Sequence, residues 1–167
     1  MWENIVIRDA TSCRTDIDFL YDILISREKR QEPGFNLPTY ESHTRYISSN
    51  PYVSFKITLY KNIPISTGFL SRDLEIGVYN HYNNVRACAQ KLENIDISST
   101  TMYACLSSAQ FPDFRASILH TNASSHNCIQ RLWNFRDMNN MYSCKITRDL
   151  VHSLKPGTHH LYEFRKN

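Results

Sequence analysis

The sequence predicts an α+β fold, a mixed and mainly antiparallel central sheet flanked by helices. Three observations carry this. The stretch "YVSFKITLY" alternates Val53, Phe55, Ile57 and Leu59 with Ser54, Lys56 and Thr58, the period of a strand with one buried and one polar face. Two more strand-like runs, 63–70 and 74–80, follow across turns short enough for an antiparallel meander. Helix-compatible stretches gather before and after this meander instead of alternating with single strands, which sets the chain apart from a parallel α/β sheet.

Each element has a local reason. Residues 3–8 read as a first strand through Ile5 and Ile7, ahead of the turn-rich "DATSCR". Thr15 is the predicted cap of the first helix, with Asp18 completing a capping box. Ile17, Leu20, Tyr21 and Leu24 follow at i, i+3, i+4 and i+7 as an apolar stripe. "SREKRQEPGFNLP", broken by Pro33, Gly34 and Pro38, reads as a loop. Thr39 caps a short second helix running toward Ser49 and stopped by Asn50 and Pro51. Lys61 and Asn62 form a hairpin turn, and Pro64 suits the beginning of the strand after it.

Residues 84–94, rich in Ala, Gln, Lys and Leu, read as a helix. The run 95–110, with "SSTTMYACLSSA", fits either a second helical piece or an insertion. A strand over 114–119 precedes a helix over 124–133 that Asn122 or Ser124 can cap. Strands over 141–147 and 159–164 close the chain, around a loop with Pro156 and Gly157. With no repeat or linker, residues 1–167 form one domain, long enough to bury a core without staples.

Composition narrows the function classes. A net charge of +3 with interspersed signs lacks the basic face of a nucleic-acid binder but suits a small anionic ligand. The first ten residues carry charges, and no window matches a signal peptide or membrane span, so the expectation is a cytoplasmic protein without membrane partners. Cys13, Cys88, Cys105, Cys128 and Cys144 are odd in number and never spaced as C-x-x-C, which predicts free buried thiols. The seven histidines show no metal-ligand spacing, so no metal site is expected.

Taken in order, the elements β-α-α-β-β-β-α-β-α-β-β resemble those of the GCN5-related N-acetyltransferase (GNAT) family, the acyl-CoA N-acyltransferase fold. "IVIRDATSCRTDIDFLYDILISR" resembles the family's opening strand and first helix. "LPTYESHTRYISSNPYVSFKITLYKNIPISTGFL" resembles the second helix and hairpin of a bacterial subgroup, and "EIGVYN" is similar to the fourth strand. "RASILHTNASSHNCIQRLWNF" resembles the fifth strand and following helix, with Ala116 and Asn122 at the family spacing. The chain departs from the family where a glycine loop presents backbone N–H groups to the CoA pyrophosphate. Here the matching "NVRACA" puts Ala87 and Ala89 at the small positions, in a chain with only 4 glycines. At the end of the second matching helix Asn134-Phe135 replaces a closing Gly-Phe, Asn being tolerant of a left-handed stop. The family's general-acid tyrosine position falls near Ile129 or Gln130, beside Cys128.

The resemblance implies acetyl-CoA as co-substrate and a small primary amine as acceptor, an amino sugar or related metabolite. Glu75 is the implied base. Backbone groups of Val78, Tyr79 and Asn80 are implied to hold the pantetheine arm, and Arg86, Ala87, Cys88 and Ala89 the pyrophosphate. Asn122 is implied either to bind the CoA arm or to cap its helix. Tyr79, His81 and Tyr82 are candidates for an acceptor pocket, and the segment 27–36 for its entrance. A homodimer is compatible with the resemblance. The alternative function, favoured by the lost glycines, is a GNAT-fold binding or regulatory protein without catalysis.

Overall fold

The computed structural model describes residues 4–32, 34–92, 95–119, 121–134, 138–147 and 159–167. Strand β1 (Ile5–Asp9) pairs with β2 (Tyr52–Tyr60), β2 with β3 (Ile63–Ser71) and β3 with β4 (Ile76–Asn80), all antiparallel. Lys61 and Asn62 join β2 to β3 with φ of 48° and 66°, the left-handed pair that matches the twist of a two-residue hairpin. A second antiparallel sheet has the order β5 (Phe114–Leu119), β7 (His159–Lys166), β6 (Tyr142–Thr147). The two sheets meet at one parallel bridge, Glu75 with Arg115, where the Arg115 N–H donates to the Leu74 carbonyl at 2.9 Å. The α+β class and its mainly antiparallel pairing are as the sequence predicts.

Helices α1 (Arg14–Lys29) and α2 (Tyr40–Ser48) cover one face of the first sheet, where Ile17, Phe19, Leu20, Ile23 and Ile47 close over Ile57. The opposite face takes α3 (Tyr82–Leu92) and α4 (Ile97–Ser108). The largest core joins α4 and α5 (Ala123–Trp133) to both sheets, around Leu70, Leu106, Leu132, Tyr142 and Phe164. A single turn, α6 (Met138–Met141), was not foreseen and buries Met138 in that core.

Several expectations are corrected. Helix α1 begins at Arg14 with Cys13 as its cap, because the Asp16 carboxylate takes the Thr11 N–H and hydroxyl, both at 2.8 Å, and fixes the turn before it. Thr15 is therefore inside the helix, and Asp18 accepts instead from the Tyr40 hydroxyl. Tyr21 and Leu24 are only half-buried, while Phe19 and Ile23 carry the buried stripe. The helix runs on to Lys29, through the start of the expected loop. Thr39 does cap α2, accepting the Ser42 N–H.

The polar face of β2 is not turned to water. Ser54 and Thr58 are buried beneath α4, and the Thr58 and Thr101 hydroxyls share a hydrogen bond of 2.6 Å. Residues 97–108 are thus a packed helix, capped by Asp96 on the Ser99 N–H. Asn134 ends α5 in the right-handed region at φ −84°, so the expected left-handed stop is absent there. Of the cysteines, Cys88, Cys105 and Cys128 are buried as expected, whereas Cys13 and Cys144 are exposed; all are free. Phe135, Pro156 and Gly157 lie outside the described residues. Among the described residues no helix is long and apolar enough to cross a membrane.

Candidate active site

A cleft follows from strand pairing. Ser71 donates to the Glu75 carbonyl and His81 to the Ile65 carbonyl, both at 2.9 Å, so odd-numbered residues of β4 bond to β3 at both ends. In an antiparallel ladder the bonded pairs alternate, so Ile76, Val78 and Asn80 turn their N–H and C=O groups away from β3. Arg115 fixes the corresponding parity of β5, which leaves Ser117 and Leu119 facing β4. Among the described residues only one bridge joins the strands, and beyond it their facing edges are unpaired. Between them opens a cleft of about 1020 Å³, lined by both strand edges, α3, α4 and α5, and the segment that follows α1.

Side chains divide by parity as well. Val78 packs toward α4 with the main core, and Asn80 Nδ2 donates to Ser98 Oγ at 2.9 Å. Glu75, Gly77 and Tyr79 face the α1–α2 side, where Arg27 lies with its Cζ 4.3 Å from the Tyr79 ring centroid. Glu75 is half-buried and lines the cleft. Burial pushes the Tyr79 hydroxyl above its ordinary value, while the nearby Arg27 pulls the other way. Phe69 lies over Gly77 so closely that a Cβ there would overlap its ring.

The stretch "NVRACA" lies within a helix, as the reading of 84–94 expects, but that helix starts two residues earlier. Helix α3 starts directly after His81, whose carbonyl accepts the Val85 N–H at 2.9 Å and whose Nδ1 accepts the Asn84 N–H at 3.3 Å. Asn84 Nδ2 also anchors the turn on the Pro64 carbonyl at 2.7 Å. From Arg86 onward the backbone N–H groups point back into the helix. Among the described residues nothing accepts from the N–H groups of Tyr82 and Asn83, so the open donors of this helix lie before "NVRACA".

The predicted site residues therefore separate. Glu75, Val78, Tyr79, Asn80, Arg86 and Asn122 line one cleft. Ala87 is exposed and does not line it, and Ala89 lies within α3. Cys88 is turned into a core with Tyr60, Ile65, Leu92 and Ile97. Asn122 caps α5, its Oδ1 accepting the Ser125 N–H at 3.0 Å, and places Ser124 and Ser125 at the cleft. Cys128 reaches the cleft from α5, but burial pushes its thiol up to about 11, so it stays protonated at neutral pH. Sequence reading placed the acceptor entrance at 27–36 without seeing that Arg27, Phe35 and Tyr79 meet there; their separation in sequence hides the contact.

By sequence, no family model and no curated protein matches the chain. Solved structures match it over nearly its whole length. A putative acetyltransferase from Salmonella typhimurium, yncA, solved with acetyl-CoA, has a TM-score of 0.66 at 9% identity, covering 98% of this chain and 94% of its own. The ribosomal-protein-alanine N-acetyltransferase of Brucella melitensis has a TM-score of 0.67 at 12% identity, with 97% and 99% covered. An acetyltransferase of the GNAT family from Streptococcus pneumoniae has a TM-score of 0.62 at 11% identity, with 96% and 99% covered. A four-stranded antiparallel sheet, a splayed β4–β5 edge and these matches agree: the chain has the GNAT fold.

Proposed function

We propose that the protein is an N-acetyltransferase that moves an acetyl group directly from acetyl-CoA to a primary amine with both substrates bound. The observation that carries this reading is the unpaired inner edge of β4, which runs straight into the open first turn of α3. Val78 and Asn80 offer strand-like hydrogen bonds to the amides of a pantetheine arm. At the end of that edge, the Tyr82 and Asn83 N–H groups, the positive pole of α3 and the exposed Arg86 favour a pyrophosphate. The N-terminus of α5, with Ser124 and Ser125, adds a second positive pole to the same cleft.

Acetyl-CoA would supply an activated thioester; the chain's own residues handle the amine. Glu75 takes the proton that the acceptor ammonium must lose before its nitrogen can attack, directly or through one water. The new N–C bond replaces the C–S bond, and the departing thiolate takes the second proton, which the nitrogen sheds on becoming an amide, so charge and atoms balance. Cys128 is the thiol of α5 that reaches the cleft, and it holds its proton.

A second reading, a GNAT-fold binding module without catalysis, is favoured by the direct passage from β4 into α3 without a glycine loop. Melting the protein with millimolar acetyl-CoA separates the two. The enzyme reading expects the midpoint to rise, since a ligand of the native state stabilises it; an unmoved midpoint would sink it. Given binding, Glu75→Gln is expected to lower kcat by about 10²–10⁴-fold with acetyl-CoA affinity unchanged, the usual range for a general base. A variant as fast as the wild type removes Glu75 from that role.

A further inference from the structure

We propose that the acceptor is an amine that also carries a carboxylate, an amino acid in the broad sense, with its amine at Glu75 and its carboxylate on Arg27. This rests on the acetyltransferase reading and names the substrate class of the same cleft.

Arg27 sits in the last turn of α1 with its side chain 20% exposed. Its Cζ lies 4.3 Å from the centroid of the Phe35 ring and 4.3 Å from that of Tyr79, both inside cation–π range. Its Nε donates to Glu32 Oε2 at 2.7 Å. Two rings and one carboxylate thus fix the guanidinium, yet among the described residues nothing accepts from its two terminal nitrogens. A planar fork held in place with a pair of donors unspent is suited to a bidentate carboxylate.

Charge balance selects a monoanion. Glu32 is shared between Arg27 and Arg30, at 2.7 and 3.0 Å, so the three groups together leave a single positive charge at this end. The other end is negative, because Glu75 projects from the same side of β4 as Tyr79. Arg27, Arg30, Glu32, Glu75 and Tyr79 all line the one cleft, so these charges surround a single chamber. Phe69 and Tyr79 form an aromatic wall in between, stacked at 6.2 Å. A positive end, a negative end and an apolar wall complement a zwitterion.

Spacing limits its length. Four residues of strand separate Glu75 from Tyr79 by about 13 Å. That backbone separation sets only the order of length of an acceptor that spans from Glu75 to the guanidinium beside Tyr79.

The test is calorimetric titration of the full chain with L-alanine, 4-aminobutyrate and 6-aminohexanoate, each against its own amide. The amides keep the amine and the length and lose only the carboxylate. At least one acid is expected to bind roughly tenfold more tightly than its amide, as a charge-assisted pair requires. In Arg27→Gln that advantage should fall to within about twofold, and Arg27→Lys, which keeps the charge without the fork, should lie between. The wild-type comparison stands even if a variant folds poorly. Equal binding of acids and amides, or binding of neither, overturns the proposal. So does tighter binding of a C-terminally amidated tripeptide beginning with alanine, which would assign the chamber to polypeptide N-termini. A protein that discriminates acid from amide but ignores acetyl-CoA would keep this inference and lose the acetyltransferase reading.

Discussion

At the scale of single residues, the placement of charge matters more than its amount. Asp16 is 2% exposed and takes four hydrogen bonds, two from the Arg8 guanidinium at 2.8 and 2.6 Å and two from Thr11. Burial alone would raise its pKa, but the Arg8 and Thr11 hydrogen bonds outweigh it and hold the carboxyl below its ordinary value. Asp16→Asn is expected to cost about 2 kcal/mol, a mid-range loss for hydrogen bonds to a charged group with a partly solvated partner. Urea denaturation at pH 7 checks this, and a change within experimental error would show that the pair is only positional. Gly77 gives a different outcome, because Gly77→Ala forces the Phe69 ring aside rather than opening a core. It is expected to weaken acceptor binding more than it lowers the melting temperature, as seen by comparing acceptor KM with a thermal scan.

At the scale of elements, α4 shows why a polar strand face can be buried. Its Thr101 sits against Gly68 of β3, where an added Cβ would lie 2.8 Å from Thr101 Cγ2 and 3.3 Å from Cys105 Sγ. The absence of a side chain at Gly68 lets the helix approach, and the Thr58–Thr101 hydrogen bond satisfies the hydroxyls this traps. Gly68→Ala is therefore expected to destabilise by about 1–3 kcal/mol, the usual cost of overpacking. Adding Thr101→Ser, which deletes the obstructing methyl but keeps the hydroxyl, should recover at least half of that loss in the same denaturation assay. Additive effects of the two changes would contradict the contact. Helix α3 depends on His81 in the same local way, since its Nδ1 replaces the usual Ser or Asp oxygen as the cap.

At the scale of the whole molecule, two buried titrations shape the acid response. Burial lowers the pKa of His43, against a weaker upward pull from the Ile17 backbone, and among the described residues its Nε2 has no hydrogen-bond partner. The unfolded chain therefore binds a proton there more readily than the folded one. Stability is full above the ordinary histidine value of 6.5 and falls as the pH drops below it toward the folded value. Asp16 acts lower: its contribution is complete above the ordinary 3.8 and is lost as the pH falls through its depressed folded value. Denaturation free energies measured from pH 8 to 3 should fall in two stages, and His43→Leu should remove the upper one. A variant that keeps the slope between pH 6.5 and 5 would assign it to another group.

The sequence by itself determined most of the element order, though not α4 or α6, together with the antiparallel meander, the Lys61-Asn62 turn, the Thr39 cap and the run that carries Glu75, and it offered Asn122 as one of two caps for α5. These are local: alternation, capping oxygens and turn residues act within a few positions, so the chain states them directly. The family resemblance rested on the same local features, and therefore reached the fold without showing where helix α3 begins. Only the tertiary structure decided that α3 begins at Tyr82, because the Asn84 anchor is the Pro64 carbonyl, twenty residues away. It alone buried the polar face of β2 under α4, turned Cys88 into a core and brought Arg27 against Phe35 and Tyr79. Such contacts join residues far apart along the chain, and their energy depends on how whole elements pack rather than on any spacing within one of them.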